Sequence, residues 1–125
     1  MPYYVYVIAL DPAAANLRKF RERNPDRDPD QDCVYVGQTI HDPDCRYRQH
    51  KECAGKGSRF RCICGAVRRD LTKKLSNSLV RRYGRFLRRD LYEEYNPLPS
   101  RKEAEAMEEA LARRLRLKGH GVWWG

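Results

Sequence analysis

The sequence lacks any uninterrupted apolar run of the ~18–20 residues that a membrane-spanning helix needs. Its first ten residues, MPYYVYVIAL, lack the basic leader and the small-residue cleavage site of a signal peptide. An internal repeat is also missing. These absences exclude a membrane protein, a secreted disulfide scaffold, a coiled coil and collagen. We therefore expect a cytoplasmic protein with no membrane partner.

An even cysteine count, typical of a disulfide framework, is missing as well. The chain has five cysteines, and an odd number without a leader suggests a reducing compartment. Cys53, Cys62 and Cys64 could bind a structural zinc ion together with His41, Cys45 or His50. Their spacing contains no CxxC pair, so free thiols are the favoured interpretation and zinc remains an alternative.

Acidic residues are scarce in one long segment. The whole chain has 26 Lys and Arg against 17 Asp and Glu, a net charge of +9. Residues 46–89 hold fifteen Lys and Arg and only two acids, a net charge of +13, which leaves −4 for the rest. A face built only for solubility usually mixes signs, so this segment predicts a nucleic-acid partner. The residues that we expect to contact phosphates are Arg48, Lys51, Lys56, Arg59, Arg61, Arg81 and Arg82.

At 125 residues, the chain is long enough for one hydrophobic core and too short for two. Residues 3–10 form a β-branched and aromatic run typical of a strand covered on both faces. Residues 33–36 predict a second strand, antiparallel to the first, and a third is expected within 85–95. The sequence therefore predicts a single α/β domain.

Three helices are expected between and after these strands. Asp42-Pro43 is a helix start, with Asp at the N-cap and Pro at the first helical position; this helix should end near Cys53. A second is predicted over 76–83. Ser100 and Glu103 have the spacing of a capping box, and the helix they begin should run to Lys118 before Gly119.

The last helix carries a misplaced carboxylate. At about 100° per residue, Ala104, Met107, Leu111 and Leu115 form one apolar stripe, and Glu108 lies on the same side. A carboxylate directed toward a core is costly unless it is paired or binds a metal. Glu108 is therefore either a metal ligand or a partner of a nearby arginine.

The helix after Gly37 carries Arg46 and His50, which are four residues apart and so share one face. A guanidinium offers a forked donor to phosphoryl oxygens, and an imidazole transfers protons near neutral pH. The same pair also occurs by chance on basic surface helices. Tyr6 and Tyr35 lie on neighbouring strands, where core packing is the ordinary role of tyrosine.

Taken in order, these features resemble the GIY-YIG nuclease superfamily. Tyr4-Val5-Tyr6 and Tyr35-Val36-Gly37 are similar to the two halves of the family motif, and Arg46 to His50 matches its Arg-x-x-x-His helix. The helix over 102–108 matches the one that carries the metal-binding glutamate, which corresponds to Glu108. Small bacterial stand-alone members share the stretch Leu91-Tyr92-Glu93 followed by NPLP.

The resemblance implies a three-stranded antiparallel sheet flanked by helices, with insertions near 11–32 and 56–75. This chain differs from many members of the family at its tail: they carry an asparagine there, whereas this chain reads Val122-Trp123-Trp124.

The resemblance further implies a DNA endonuclease that depends on Mg²⁺ or Mn²⁺ and acts on duplex or branched DNA. Glu108 would bind the metal and Arg46 would stabilise the transition state. Tyr6 would deprotonate water, with Tyr35 and His50 positioning it or relaying the proton, while Gly37 permits a close backbone approach. Two alternatives remain open: a nucleic-acid-binding module that has lost catalysis, and a small zinc-containing interaction protein.

Overall fold

A computed structural model describes residues 2–40, 42–52, 59–61, 67–69 and 75–124, without the side chains at 49, 50, 52, 59–61, 67–69 and 75–78. The strands are β1 (Tyr4–Leu10), β2 (Cys33–Thr39), β3 (Arg59–Arg61), β4 (Val67–Arg69), β5 (Gly84–Leu87) and β6 (Gly121–Trp124). The helices are α1 (Arg18–Arg23), α2 (Pro43–Glu52), α3 (Leu75–Tyr83), α4 (Arg89–Tyr92) and α5 (Arg101–Leu117). Short 3₁₀ turns cover Pro12–Asn16 and Glu93–Tyr95.

The main sheet has four strands in the order β5-β1-β2-β6. β1 pairs antiparallel with both β2 and β5, whereas β6 runs parallel to β2. The fold is therefore α+β with a mixed sheet flanked by helices. The expected three-stranded antiparallel sheet is wrong in one respect, because the tail adds a fourth, parallel strand.

The two central strands are buried along almost their whole length. In β1 every residue from Val5 to Leu10 is buried, and in β2 every residue from Cys33 to Gly37 is buried. This confirms the prediction of a strand covered on both faces. Helices can cover both faces of a sheet only where side chains on both faces are apolar, which is the pattern of the YVYVIAL segment.

Helix α5 has the ends that the sequence predicts. The Ser100 hydroxyl accepts a hydrogen bond from the backbone N–H of Glu103 at 3.2 Å. After the helix, Gly119 adopts a φ of 95°, in the left-handed region that a side chain disfavours. Ala104, Leu111, Ala112 and Leu115 face the core. A 17-residue helix with fixed ends places any residue of its buried face at a defined height above the sheet.

The tail is held in the sheet by Asn24, which follows α1. Its amide Nδ2 donates to the carbonyl oxygens of Phe20 and Val122 at 2.9 and 3.0 Å, and its Oδ1 accepts from the Val122 N–H at 2.8 Å. The Phe20 and Trp123 rings stack with centroids 6.4 Å apart. The polar 11–32 segment thus contributes the support for β6.

Beyond the main sheet, β3 and β4 form a separate antiparallel pair. Within the described ranges, none of the helices is long and apolar enough to cross a membrane.

Candidate functional site

Tyr6, Gly37 and Tyr35 meet on one face of the sheet. Tyr6 pairs directly with Gly37, and Tyr35 pairs with Ile8, two residues along β1. A Cβ atom at Gly37 would lie 2.5 Å from Cζ and Oη of Tyr6 and 3.0 Å from Cε1 of Tyr35. Glycine is therefore required here for the two phenol rings, whose centroids are 6.1 Å apart, to pack over the strand.

Helix α2 brings Arg46 to this pair. The helix begins at Pro43, where the Asp42 carboxylate accepts the N–H of Asp44 at 2.8 Å. Arg46 lies on its inner side and hydrogen-bonds the Tyr6 side chain. The predicted strand and helix residues are therefore in direct contact.

Helix α5 brings Glu108 within electrostatic reach of the same phenol. Glu108 is half-buried, between the buried positions Ala104 and Ala112. Its neighbour Glu109 is exposed and pairs with Arg113 at 2.8 Å. The helical phase inferred from the sequence thus separates the two glutamates as expected.

Opposing influences act on the Tyr6 hydroxyl. Burial raises its pKa above the ordinary value, and the nearby Glu108 carboxylate raises the pKa further. The Arg46 charge and hydrogen bond lower this pKa, as does a hydrogen bond with Tyr35. Burial is the largest of these effects, so Tyr6 is a neutral phenol at physiological pH.

Asn96 supports this arrangement and was not expected from the sequence. Its Oδ1 accepts the N–H of Val5 and its Nδ2 donates to the Val5 carbonyl oxygen, both at 2.8 Å. The Asn96 amide therefore satisfies the backbone N–H and carbonyl groups of Val5, as a neighbouring strand would, one residue before Tyr6. Asn96 is the first residue of the NPLP stretch, and its polar amide was the available signal in the sequence.

The basic segment is less uniformly positive in space than in sequence. Three of its arginines form ion pairs with aspartates outside the segment. These pairs are Arg85–Asp11, Arg88–Asp32, Arg88–Asp90 and Arg89–Asp44. Within the described ranges, Arg81 and Arg82 form no ion pair, although Arg82 lies over the Tyr83 ring, 5.6 Å from its centroid.

Lys51 has a structural contact that the charge count did not suggest. Its Nζ donates to the carbonyl oxygens of Arg81 and Gly84 at 2.9 and 2.8 Å, which joins α2 to the end of α3 and the start of β5. The ammonium is therefore already engaged by two acceptors.

Several predicted site residues fall outside the described part of the chain. His50 belongs to α2, but its side chain is not described, and the same holds for Arg59 and Arg61 in β3. Lys56 and the zinc candidates Cys53, Cys62 and Cys64 lie outside the described residues altogether.

The described cysteines give a mixed result. Cys33 is a buried free thiol, as favoured, and burial raises its pKa. Cys45 is disulfide-bonded, so the thiol interpretation is wrong there. A disulfide is unusual in a reducing compartment, and the cytoplasmic location stays a prediction.

In the ranges given above, no three His, Cys, Asp or Glu side chains come together as ligands for a metal ion. No protein-family model, curated protein or solved structure matches this chain. Interpretation of the site therefore depends on its own geometry.

Proposed function

We propose that the protein is a divalent-metal-dependent DNA endonuclease of the GIY-YIG type. One observation carries the proposal: Tyr35, Arg46 and Glu108, from three different elements, all act on the buried phenol of Tyr6 in a fourth element. A merely structural core tyrosine needs one hydrogen-bond partner. A phenol held between a guanidinium and a second phenol, with a carboxylate nearby, is an arrangement suited to moving a proton and stabilising negative charge.

The chain's own residues can supply most of the required chemistry. Arg46 offers a planar guanidinium with forked donors and can stabilise a phosphorane-like transition state. Tyr6 can accept a proton from water only as the phenolate, after its own proton has passed to the proposed relay His50; its hydrogen bonds fix the direction of the hydroxyl. His50 lies one turn after Arg46 in α2 and remains the proposed relay.

The residues present suit Mg²⁺ or Mn²⁺. Mg²⁺ commonly binds through one or two carboxylates, with water and phosphate oxygens completing its octahedron, so a single half-buried Glu108 is a sufficient protein ligand. A bound divalent ion would supply charge stabilisation at the leaving oxygen. Its positive charge would also oppose the burial effect that raises the pKa of Tyr6.

For the DNA contacts, we propose Arg48, Arg81 and Arg82 among the described side chains, and Lys56, Arg59 and Arg61 from the remainder of the basic segment. Lys51 is left out because its ammonium binds backbone carbonyl oxygens. The proposed partner is DNA, duplex or branched.

A second candidate is a nucleic-acid-binding module that does not cleave. The observation that favours it is the raised pKa of Tyr6, because a deeply buried neutral phenol is a poor base. Both candidates predict DNA binding, but only the endonuclease predicts cleavage.

The test is nicking of supercoiled plasmid with Mg²⁺ or Mn²⁺, with EDTA as a blank. Glu108→Ala should abolish nicking and leave DNA affinity and thermal stability nearly unchanged. Glu109→Ala is the matched control, since its exposed side chain pairs with Arg113 on the surface, and it should cut at a near-normal rate. DNA binding without nicking by the wild-type protein would support the second candidate. If the wild-type protein neither binds DNA nor nicks the plasmid, both proposals are rejected.

A further inference from the structure

A cavity of about 220 Å³ lies beside the sheet where the start of α2 meets α4 and the Asn96-Pro97 segment. Its apolar wall includes Tyr4, Pro43 and Pro97. It includes none of Tyr6, Arg46 or Glu108, so its role is separate from the proposed nuclease activity. The volume is below the ~300–1,000 Å³ of sites for drug-sized ligands, which suits a group the size of one side chain.

Tyr92 lines the cavity and carries a buried hydroxyl. The residue is only 3% exposed, and among the residues that the structure describes its Oη has no hydrogen-bond partner. Leaving such a group unsatisfied costs about 1–3 kcal/mol. Burial raises the pKa of Tyr92 to about 12, so the hydroxyl is neutral and retains both its donor and its acceptor capacity.

The charged residues around the hydroxyl are mostly acidic. Asp42, Asp44 and Glu93 line the cavity, and all three act electrostatically on the Tyr92 hydroxyl. Arg89 also lines it but is paired with Asp44. Within the described part of the chain, Asp42 and Glu93 form no ion pair, which favours a positively charged ligand.

The geometry favours an organic cation over a metal ion. Among the described residues, the carboxylates do not converge as a metal-binding group. Tyr4 and Tyr92 line the cavity, and an aromatic ring is a favourable neighbour for a delocalised cation. The two prolines provide apolar surface for an aliphatic stem.

We propose that this cavity binds the end of an alkylguanidinium or alkylammonium group. The cationic head lies against Glu93 and Asp42 and hydrogen-bonds Oη of Tyr92, while the stem lies along Pro43 and Pro97. Two sources share this chemistry: a free polyamine, and a Lys or Arg side chain of another protein.

Calorimetric titration of the full chain with n-butylguanidinium tests the proposal. Saturable binding is expected, and Tyr92→Phe and Glu93→Gln should each weaken it on the order of tenfold. Glu94→Gln is the matched control, since Glu94 is exposed and does not line the cavity. It should bind like the wild type. Tyr92→Phe should keep or raise the melting temperature because the lost hydroxyl has no partner, so weaker binding would not reflect unfolding.

Three results would overturn the proposal: no saturation at tens of millimolar, equal binding of uncharged n-butylurea, or unchanged affinity in Tyr92→Phe. Displacement of the guanidinium by millimolar MgCl₂, with no effect of equal ionic strength from NaCl, would make the cavity a metal site and also reject it. Putrescine and blocked arginine amide then separate the sources. Tighter binding of the diamine indicates a free polyamine, and tighter binding of the blocked arginine indicates a protein partner.

Discussion

The Tyr6 hydroxyl and the Arg46 guanidinium are hydrogen-bonded to each other inside the protein, and that guanidinium lowers the pKa that burial raises. The pair links the first strand to the helix that follows the second strand. We therefore expect that replacing Arg46 will change the pKa of Tyr6 as well as remove the guanidinium.

Replacing Arg46 tests this link. Arg46→Ala should lower the single-turnover cleavage rate on the order of 10²–10³-fold, the size expected from deleting one preorganised donor at a developing anion. Arg46→Lys keeps the charge and loses the planar fork, so it should restore only part of the rate. Cleavage by Arg46→Ala at the wild-type rate under saturating Mg²⁺ would remove Arg46 from the proposed site.

DNA affinity should fall steeply with salt. If about six cations of the 46–89 segment contact phosphates, log K should fall against log salt with a slope near −5. Arg82→Ala should reduce the slope by about one. Arg88→Ala should leave it nearly unchanged, because Arg88 is held by Asp32 and Asp90. Fluorescence anisotropy at several salt concentrations measures both, and identical slopes for the two variants would contradict the assignment.

Lys51 should matter for stability. In Lys51→Met, the carbonyl oxygens of Arg81 and Gly84 lose their donor at a half-buried position, and we expect a loss of about 1–3 kcal/mol in the free energy of unfolding. Lys102→Met, at an exposed position in the first turn of α5, is the control and should change little. Urea denaturation gives the comparison, and equal stability of both variants would show that the two contacts contribute nothing.

Stability should also fall at alkaline pH. Tyr92 has a pKa of about 12 in the folded chain against about 10 when unfolded. The neutral phenol is favoured in the folded state, so this contribution is complete below pH 10 and is lost as pH rises toward 12. Titration of phenolate absorbance should reveal a component near 12 that disappears in Tyr92→Phe. Loss of amplitude near pH 10 in Tyr92→Phe, with the component near 12 unchanged, would contradict the raised pKa.

Much of the site could be predicted because it depends on local periodicity. Two-residue alternation places Tyr35 and Gly37 on one face of β2, and the 3.6-residue turn of α5 separates Glu108 from Glu109. Contacts between distant segments could not be predicted in this way. Neither the Asn96 amide beside Val5 nor the ion pair between Arg88 and Asp32 follows from spacing along the chain, because each depends on how loops return to the sheet.

The charge count shows the same limit. Residues 46–89 carry +13 as a segment, yet Arg85, Arg88 and Arg89 are neutralised by aspartates from other segments. The net charge of a segment describes the charge of the surface that it forms only where no other segment places opposite charges on that surface.

Because β6 pairs in parallel with β2, the main sheet can be completed only late in synthesis. Val34 pairs with Val122, so one edge of β2 stays uncovered until α5 has formed and the last strand has emerged. An apolar strand with an open edge is prone to pair with other chains, and pairing between such distant residues forms slowly. Nascent chains that stall before Gly121 should therefore be the aggregation-prone species, even though they already contain every proposed catalytic residue.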